Sequence, residues 1–155
     1  MIWNGKPKFD YQTIKRVDSK SGRVYDINNE KLPSVTTILG ATRSEESRAK
    51  LAAWRQREGE IKADKIRDDA AARGTIMHRI LEGYIKDEGH MDLTKLGQEA
   101  GTMAQNIIDK GYFRPLEEVW GLEMPLWYPG LYAGASDVAG IYEGRESIID
   151  FKQSN

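Results

Sequence analysis

Asp137 and Asp150 stand thirteen residues apart, Lys152 follows two residues later, and the tight-turn dipeptide Glu143-Gly144 lies midway between the two aspartates. With Glu143-Gly144 as a two-residue hairpin loop, Tyr142 faces Arg145. Extending that register along both strands sets Asp137 directly across from Asp150, with Cβ atoms about 4.5 to 5.5 Å apart. Alternation places Asp137 on one face with Ala133, Ala135, Ala139 and Ile141, and Asp150 on one face with Ile148. Two ionised carboxylates on an apolar face repel, and they persist only if a cation neutralises them or one of them holds a proton.

Lys152 projects from that same face and supplies one positive charge; a divalent ion supplies two. Hard carboxylate oxygens suit Mg2+ or Mn2+, which bind through one or two carboxylates, several waters and a substrate phosphate. Such an ion polarises a phosphoryl oxygen and acidifies a bound water, with Lys152 placed to orient that water or offset transition-state charge, a chemistry suited to phosphodiester hydrolysis. The plainer alternative is a salt-bridged Asp–Lys–Asp cluster with no catalytic role.

His78 lies in RGTIMHRILEGYI, among residues that face a core. It reads either as a hydrogen-bonded core histidine or, if its helix covers the face carrying the aspartates, as an imidazole ligand that favours Mn2+ beside Mg2+. The second option predicts that His78 approaches the carboxylates from about sixty residues upstream. His90, in GHMD, reads as exposed.

These groups need a scaffold. Residues 1–31 alternate short apolar runs (Phe9, Tyr11, Ile14; Val24, Tyr25, Ile27) with turn-formers at Ser21-Gly22 and Asn28-Asn29, which predicts a small hairpin region. Residues 32–115 read as the helical part. After LPSVTTIL and Gly40, Thr42 with Glu45 suggests a capping box and a helix from Glu45 to about Ile66, burying Leu51, Trp54, Ile61 and Ile66. A second helix is expected over 68–86, with Ile76, Ile80, Leu81, Tyr84 and Ile85 on its apolar side. A third is expected over 96–110, with Met103, Ala104, Ile107 and Ile108 inward and Gly111 as a left-handed cap. Residues 116–155 read as three antiparallel strands turning at Pro129-Gly130 and Glu143-Gly144, with Pro125 favouring an edge position or a bulge.

At 155 residues and 39% hydrophobic content the chain suits one domain with a real core. It has no cysteine, which excludes disulfides, thiolate zinc sites, iron–sulfur clusters and cysteine nucleophiles, and which points to the cytoplasm. No apolar run is long enough for a membrane span or a signal peptide, so no membrane association is expected. The net charge of -1 conceals an asymmetry: residues 1–67 carry 15 Lys/Arg against 9 Asp/Glu, whereas residues 68–155 carry 8 against 15. A basic half suits a polyanion and an acidic half suits a cation, although ordinary solvated faces give the same counts.

The Asp137 strand, the Asp150-x-Lys152 strand and the upstream RGTIMH helix together resemble the PD-(D/E)xK nuclease superfamily and, within it, the RecB-like exonucleases. The likeness is closest to phage and mitochondrial genome-maintenance exonucleases, through LPSVTTIL (32–39), Trp54-Arg55, RGTIMH (73–78), GASDVAGIYEG (134–144) and IIDFKQS (148–154). The resemblance implies an α/β restriction-endonuclease-like core with helices packed on the three-strand meander. It implies a metal-dependent exonuclease preferring single-stranded DNA ends, in the host cytoplasm if phage-encoded. His78, Asp137 and Asp150 would be its Mg2+ or Mn2+ ligands and Lys152 its catalytic lysine. It further implies a Gln-x-x-x-Tyr helix and a last strand after the Asp-x-Lys strand. The chain reaches only Asn155, so these C-terminal elements are expected to be missing.

Relatives also carry an acidic residue ahead of the first aspartate, a position that Glu123 superficially matches. With Pro129-Gly130 as a two-residue loop, however, Glu123 pairs with Ser136 and points away from Asp137 unless a bulge near Gly134 or Pro125 turns it. Glu123 therefore stands as a second-metal or structural residue. For DNA, Ser34, Thr36 and Thr37 offer hydroxyl donors to phosphates, Arg73 a guanidinium and Trp54 a stacking ring, each with a structural alternative. The competing reading of the whole chain is a catalytically silent DNA-binding or interaction module on the same scaffold.

Overall fold

In the computed structural model, residues 1–19 and 22–153 are described. The fold is α/β, with two antiparallel three-strand sheets and four helices among these residues. The first sheet comprises β1 (Lys15–Ser19), β2 (Gly22–Ile27) and β3 (Glu30–Pro33) in that order. It adds a third strand to the expected hairpin, because Asn28 and Asn29 both adopt positive φ and close a two-residue turn between Ile27 and Glu30. Ser21 of the other expected turn lies outside the described residues.

Helix α1 (Val35–Ala41) follows at once, capped by the Ser34 hydroxyl accepting from the Thr37 N–H. Thr42 ends α1, and its hydroxyl returns to the Ile38 carbonyl, so it does not open a capping box. Ser44 caps α2 (Glu45–Glu58) instead. The long helix expected to reach Ile66 stops early, because Gly59 at φ 84° breaks the chain into α2 and a continuous α3 (Glu60–Lys86). The burial expected of this stretch is also corrected. Helix α2 has no buried residue, and Leu51, Ile61 and Ile66 are exposed.

The second half of α3 and α4 (Lys95–Asp109) carry the main core. Met77, Leu81 and Ile85 pack with Ala100, Ala104, Phe113, Leu116, Val119 and Val138. Full burial of side chains of this size contributes about 1.5–3 kcal/mol each, which fixes α3 against the second sheet. That sheet is an antiparallel meander of β4 (Leu116–Tyr128), β5 (Tyr132–Tyr142) and β6 (Arg145–Ile149). Pro125 lies in β4, an edge strand, where its missing N–H costs no ladder bond. No helix among the described residues is long and apolar enough to cross a membrane.

Two turns set the site. Glu143 (φ 50°) and Gly144 (φ 72°) form the expected two-residue loop, with Tyr142 opposite Arg145 and the register running to Val138 opposite Ile149. At the other turn, Pro129 and Gly130 (φ 74°) take the central positions of a turn closed by Leu131 N–H donating to the Tyr128 carbonyl. The first pair beyond it is Tyr128 with Tyr132, so the loop has three residues rather than two. A one-residue shift exchanges the faces of a strand. Leu122 therefore pairs with Val138 and Met124 with Ser136, which puts Glu123, not Leu122 or Met124, opposite Asp137.

Candidate metal centre

Helix α3 delivers His78 to Asp137, as the packing of its apolar side requires. The imidazole Nδ1 lies 3.3 Å from Asp137 Oδ1, and Nε2 lies 2.9 Å from the Phe151 carbonyl oxygen. A carbonyl and an ionised carboxylate both only accept, so while both contacts are made Nε2–H donates to Phe151 and Nδ1–H to Asp137, and it is Nδ1 that would give up its proton to a cation. Asp137, only 9% exposed, also accepts from the Phe151 N–H through Oδ2 at 2.6 Å. The backbone of one residue, Phe151, thus holds both side chains, its N–H on the aspartate and its C=O on the histidine.

Glu123 completes the group. One ligand atom from each of His78, Glu123 and Asp137 lies within 4.8 Å of the others, and this is the one such group among the described residues. Glu123 adopts φ 52° within β4, an uncommon conformation for a residue other than Gly, Asn or Asp, costing on the order of 1–2 kcal/mol. Asp137 is buried, His78 partly buried and Glu123 exposed, so the group opens to solvent on the glutamate side.

The charges lack a full complement. Although Glu123 as a whole is exposed, desolvation of its carboxyl within the group and the neighbouring Asp137 charge push that carboxyl above its usual range. Burial alone would raise Asp137 too, but the His78 hydrogen bond, the Phe151 N–H and the charges of His78 and Lys152 hold it low. His78 is raised, chiefly by its hydrogen bond to Asp137 and against the opposing effect of burial. One imidazole nitrogen and two carboxylates, one of them reluctant to ionise, form a donor set that fits a divalent cation.

A pH dependence follows for the metal-free protein. A raised histidine stabilises fully below its ordinary value and loses its contribution as pH rises through the raised one. A lowered aspartate stabilises above its ordinary value and loses its contribution as pH falls through the lowered one. The pair therefore contributes fully between about pH 4 and 6.5. NMR titration of His78 should give a pKa above 6.5 in the absence of metal; a value at or below that would mean the imidazole is not paired with Asp137.

Asp150 departs from the expected arrangement. Strand β6 ends at Ile149, and the chain then turns so that the Phe151 peptide, with its ring packed 5.6 Å from Phe113, meets Asp137. The Asp150 carboxylate is exposed and paired with Lys152 Nζ at 2.6 and 2.8 Å. Of the expected ligands His78, Asp137 and Asp150, the convergent group contains His78 and Asp137, and its third member is Glu123. Asp150 and Lys152 line a separate groove of about 550 Å³ with Tyr112, Ile148 and Phe151, although the Lys152 charge still reaches Asp137.

The residues expected to contact DNA have partners within the protein. Ser34 is 2% exposed, and its hydroxyl is spent on the α1 cap and on the Thr36 and Thr37 hydroxyls. Thr37 in turn fastens α1 to β2 through the Arg23 backbone. Thr36 is exposed with its hydroxyl on Ser34, and Arg73, 17% exposed, is committed to Glu99 and Gln153. The signal that could have found Glu123 was the Pro-Gly-Leu turn; nothing local to Arg73 announces a partner eighty residues away. No protein-family model matches the chain, and no curated protein matches its sequence.

Proposed function

We propose that this chain hydrolyses phosphodiester bonds in DNA as a divalent-metal-dependent exonuclease acting on single-stranded ends, with Mg2+ or Mn2+ held by His78, Glu123 and Asp137. The observation that carries the reading is the convergence of an imidazole nitrogen and two carboxylates from three elements. The resemblance of the RGTIMH, Asp137 and Asp150-x-Lys152 segments to PD-(D/E)xK exonucleases supports DNA as the substrate. When bound, the cation supplies polarisation of a phosphoryl oxygen and an acidified water.

The protein's own groups have distinct tasks. Asp137 stays ionised through the Phe151 N–H and His78, and so presents a fixed anionic oxygen. His78 presents Nδ1 because Nε2–H is occupied by the Phe151 carbonyl, the outer hydrogen bond that orients a ligating imidazole. An imidazole ligand favours Mn2+ beside Mg2+. Glu123 sits at the open side, where substrate enters. Lys152, 73% exposed, supplies a mobile ammonium to offset charge developing on the phosphate.

The mutual Asp150–Lys152 pair favours a second reading, a DNA-binding module without catalysis. Incubation with end-labelled linear and circular single-stranded DNA, in excess Mn2+ or in EDTA, separates them. The nuclease reading expects the linear strand to shorten only with metal and the circle to persist. Equal cleavage in EDTA defeats it, and DNA binding without any cleavage in Mn2+ selects the silent module.

A further inference from the structure

Gln153 lies two residues beyond Phe151 and is tied back to α3 at three points. Its Oε1 accepts from Arg73 Nε at 3.1 Å, its Nε2 donates to the Ala70 carbonyl, and its amide lies over Gly74, where an added Cβ would come within 3.1 Å of Nε2. Arg73 is braced on its other side by Glu99 at 2.9 Å. Glycine within a 27-residue helix carries an entropic cost, and the amide crossing Gly74 supplies a reason for it. Asp150 and Lys152, by contrast, are exposed and paired with one another.

We propose that Gln153 is a positioning residue for the metal centre: latched across Arg73 and Gly74, it holds the Phe151 backbone against His78 and Asp137. The metal half of this inference rests on the reading of His78, Glu123 and Asp137 as ligands. The latch itself stands on the hydrogen bonds alone. With the latch released, the Phe151 ring remains against Phe113, but the backbone on either side of Phe151 is free to turn. Its carbonyl then no longer selects the Nε2–H tautomer of His78, and its N–H no longer orients Asp137.

The test uses the whole chain with Gln153→Ala, Gly74→Ala and the double variant. Three quantities are measured: Mn2+ affinity by calorimetry, the imidazole ¹⁵N signals of metal-free neutral His78, and the melting temperature. Gln153→Ala should weaken Mn2+ binding about tenfold, the scale of losing an outer-shell partner, and should turn a single His78 tautomer into a mixture. Gly74→Ala should weaken binding in the same direction while the melting temperature holds or rises, since alanine is the better helix former. The double variant should bind no worse than Gln153→Ala, because both changes act on one latch, the first removing the amide and the second crowding it.

A merely structural role would move affinity and melting temperature together. Wild-type affinity and an unchanged His78 tautomer in Gln153→Ala would overturn the latch while leaving the metal site intact. If the wild type bound no Mn2+, the metal reading would fall and the His78 signals alone would decide the latch. If Gln153→Ala failed to fold, Gly74→Ala would decide it.

Discussion

Asp137→Asn is expected to lower Mn2+ affinity by at least about a hundredfold and to remove DNA cleavage with it, while the protein still unfolds cooperatively. Outer-shell changes alone cost about ten- to a hundredfold at metal sites, and this one removes a charged ligand. The amide oxygen still accepts from the Phe151 N–H, so the local backbone keeps its partner. What disappears is the negative charge that raises His78, whose pKa should fall toward its ordinary value. Calorimetry, an oligonucleotide assay and a His78 titration on the same sample check the three effects. Cleavage surviving in Asp137→Asn would remove this residue from the chemistry.

Lys152→Ala is expected to separate metal binding from turnover. The lysine is no ligand, and its charge is felt at Asp137, so its removal should leave Mn2+ affinity unchanged or slightly tighter. Cleavage of single-stranded DNA should nevertheless fall by about 10²-fold or more, the scale for deleting a group that stabilises transition-state charge. Full activity in Lys152→Ala would show that its pairing with Asp150 is its whole role. Stability should hardly change, since an exposed ion pair contributes about 0–1 kcal/mol.

Much of the meander was legible because its turn chemistry is local. Glu143-Gly144 fixed the β5–β6 register, and the apolar period of α3 brought His78 to Asp137. The β4–β5 turn was misread by one residue, since Pro129-Gly130 supplies the bend but Leu131 belongs to the loop as well. In a strand that single step decides which face a carboxylate occupies, and it hid Glu123.

The position of Asp150 was less legible, because register extrapolates only as far as the strand and β6 stops one residue short of it. Arg73 and Ser34 look free in the sequence because their partners lie far away or in the fold of the cap itself. Helical propensity likewise carried a single helix past Gly59, where positive φ breaks it.

The most direct test of the account is an Mn2+ titration of the wild type beside Glu123→Gln and Asp150→Asn. The proposed ligand group predicts a site in the wild type that is largely retained in Asp150→Asn, whose carboxylate lies outside that group, and lost in Glu123→Gln. Metal-free Glu123→Gln should melt no lower than the wild type, because burial and Asp137 already disfavour the charged glutamate, so loss of binding would not reflect unfolding. A wild type that takes up no Mn2+, or a Glu123→Gln variant that binds it as tightly as the wild type, would contradict the proposed metal centre.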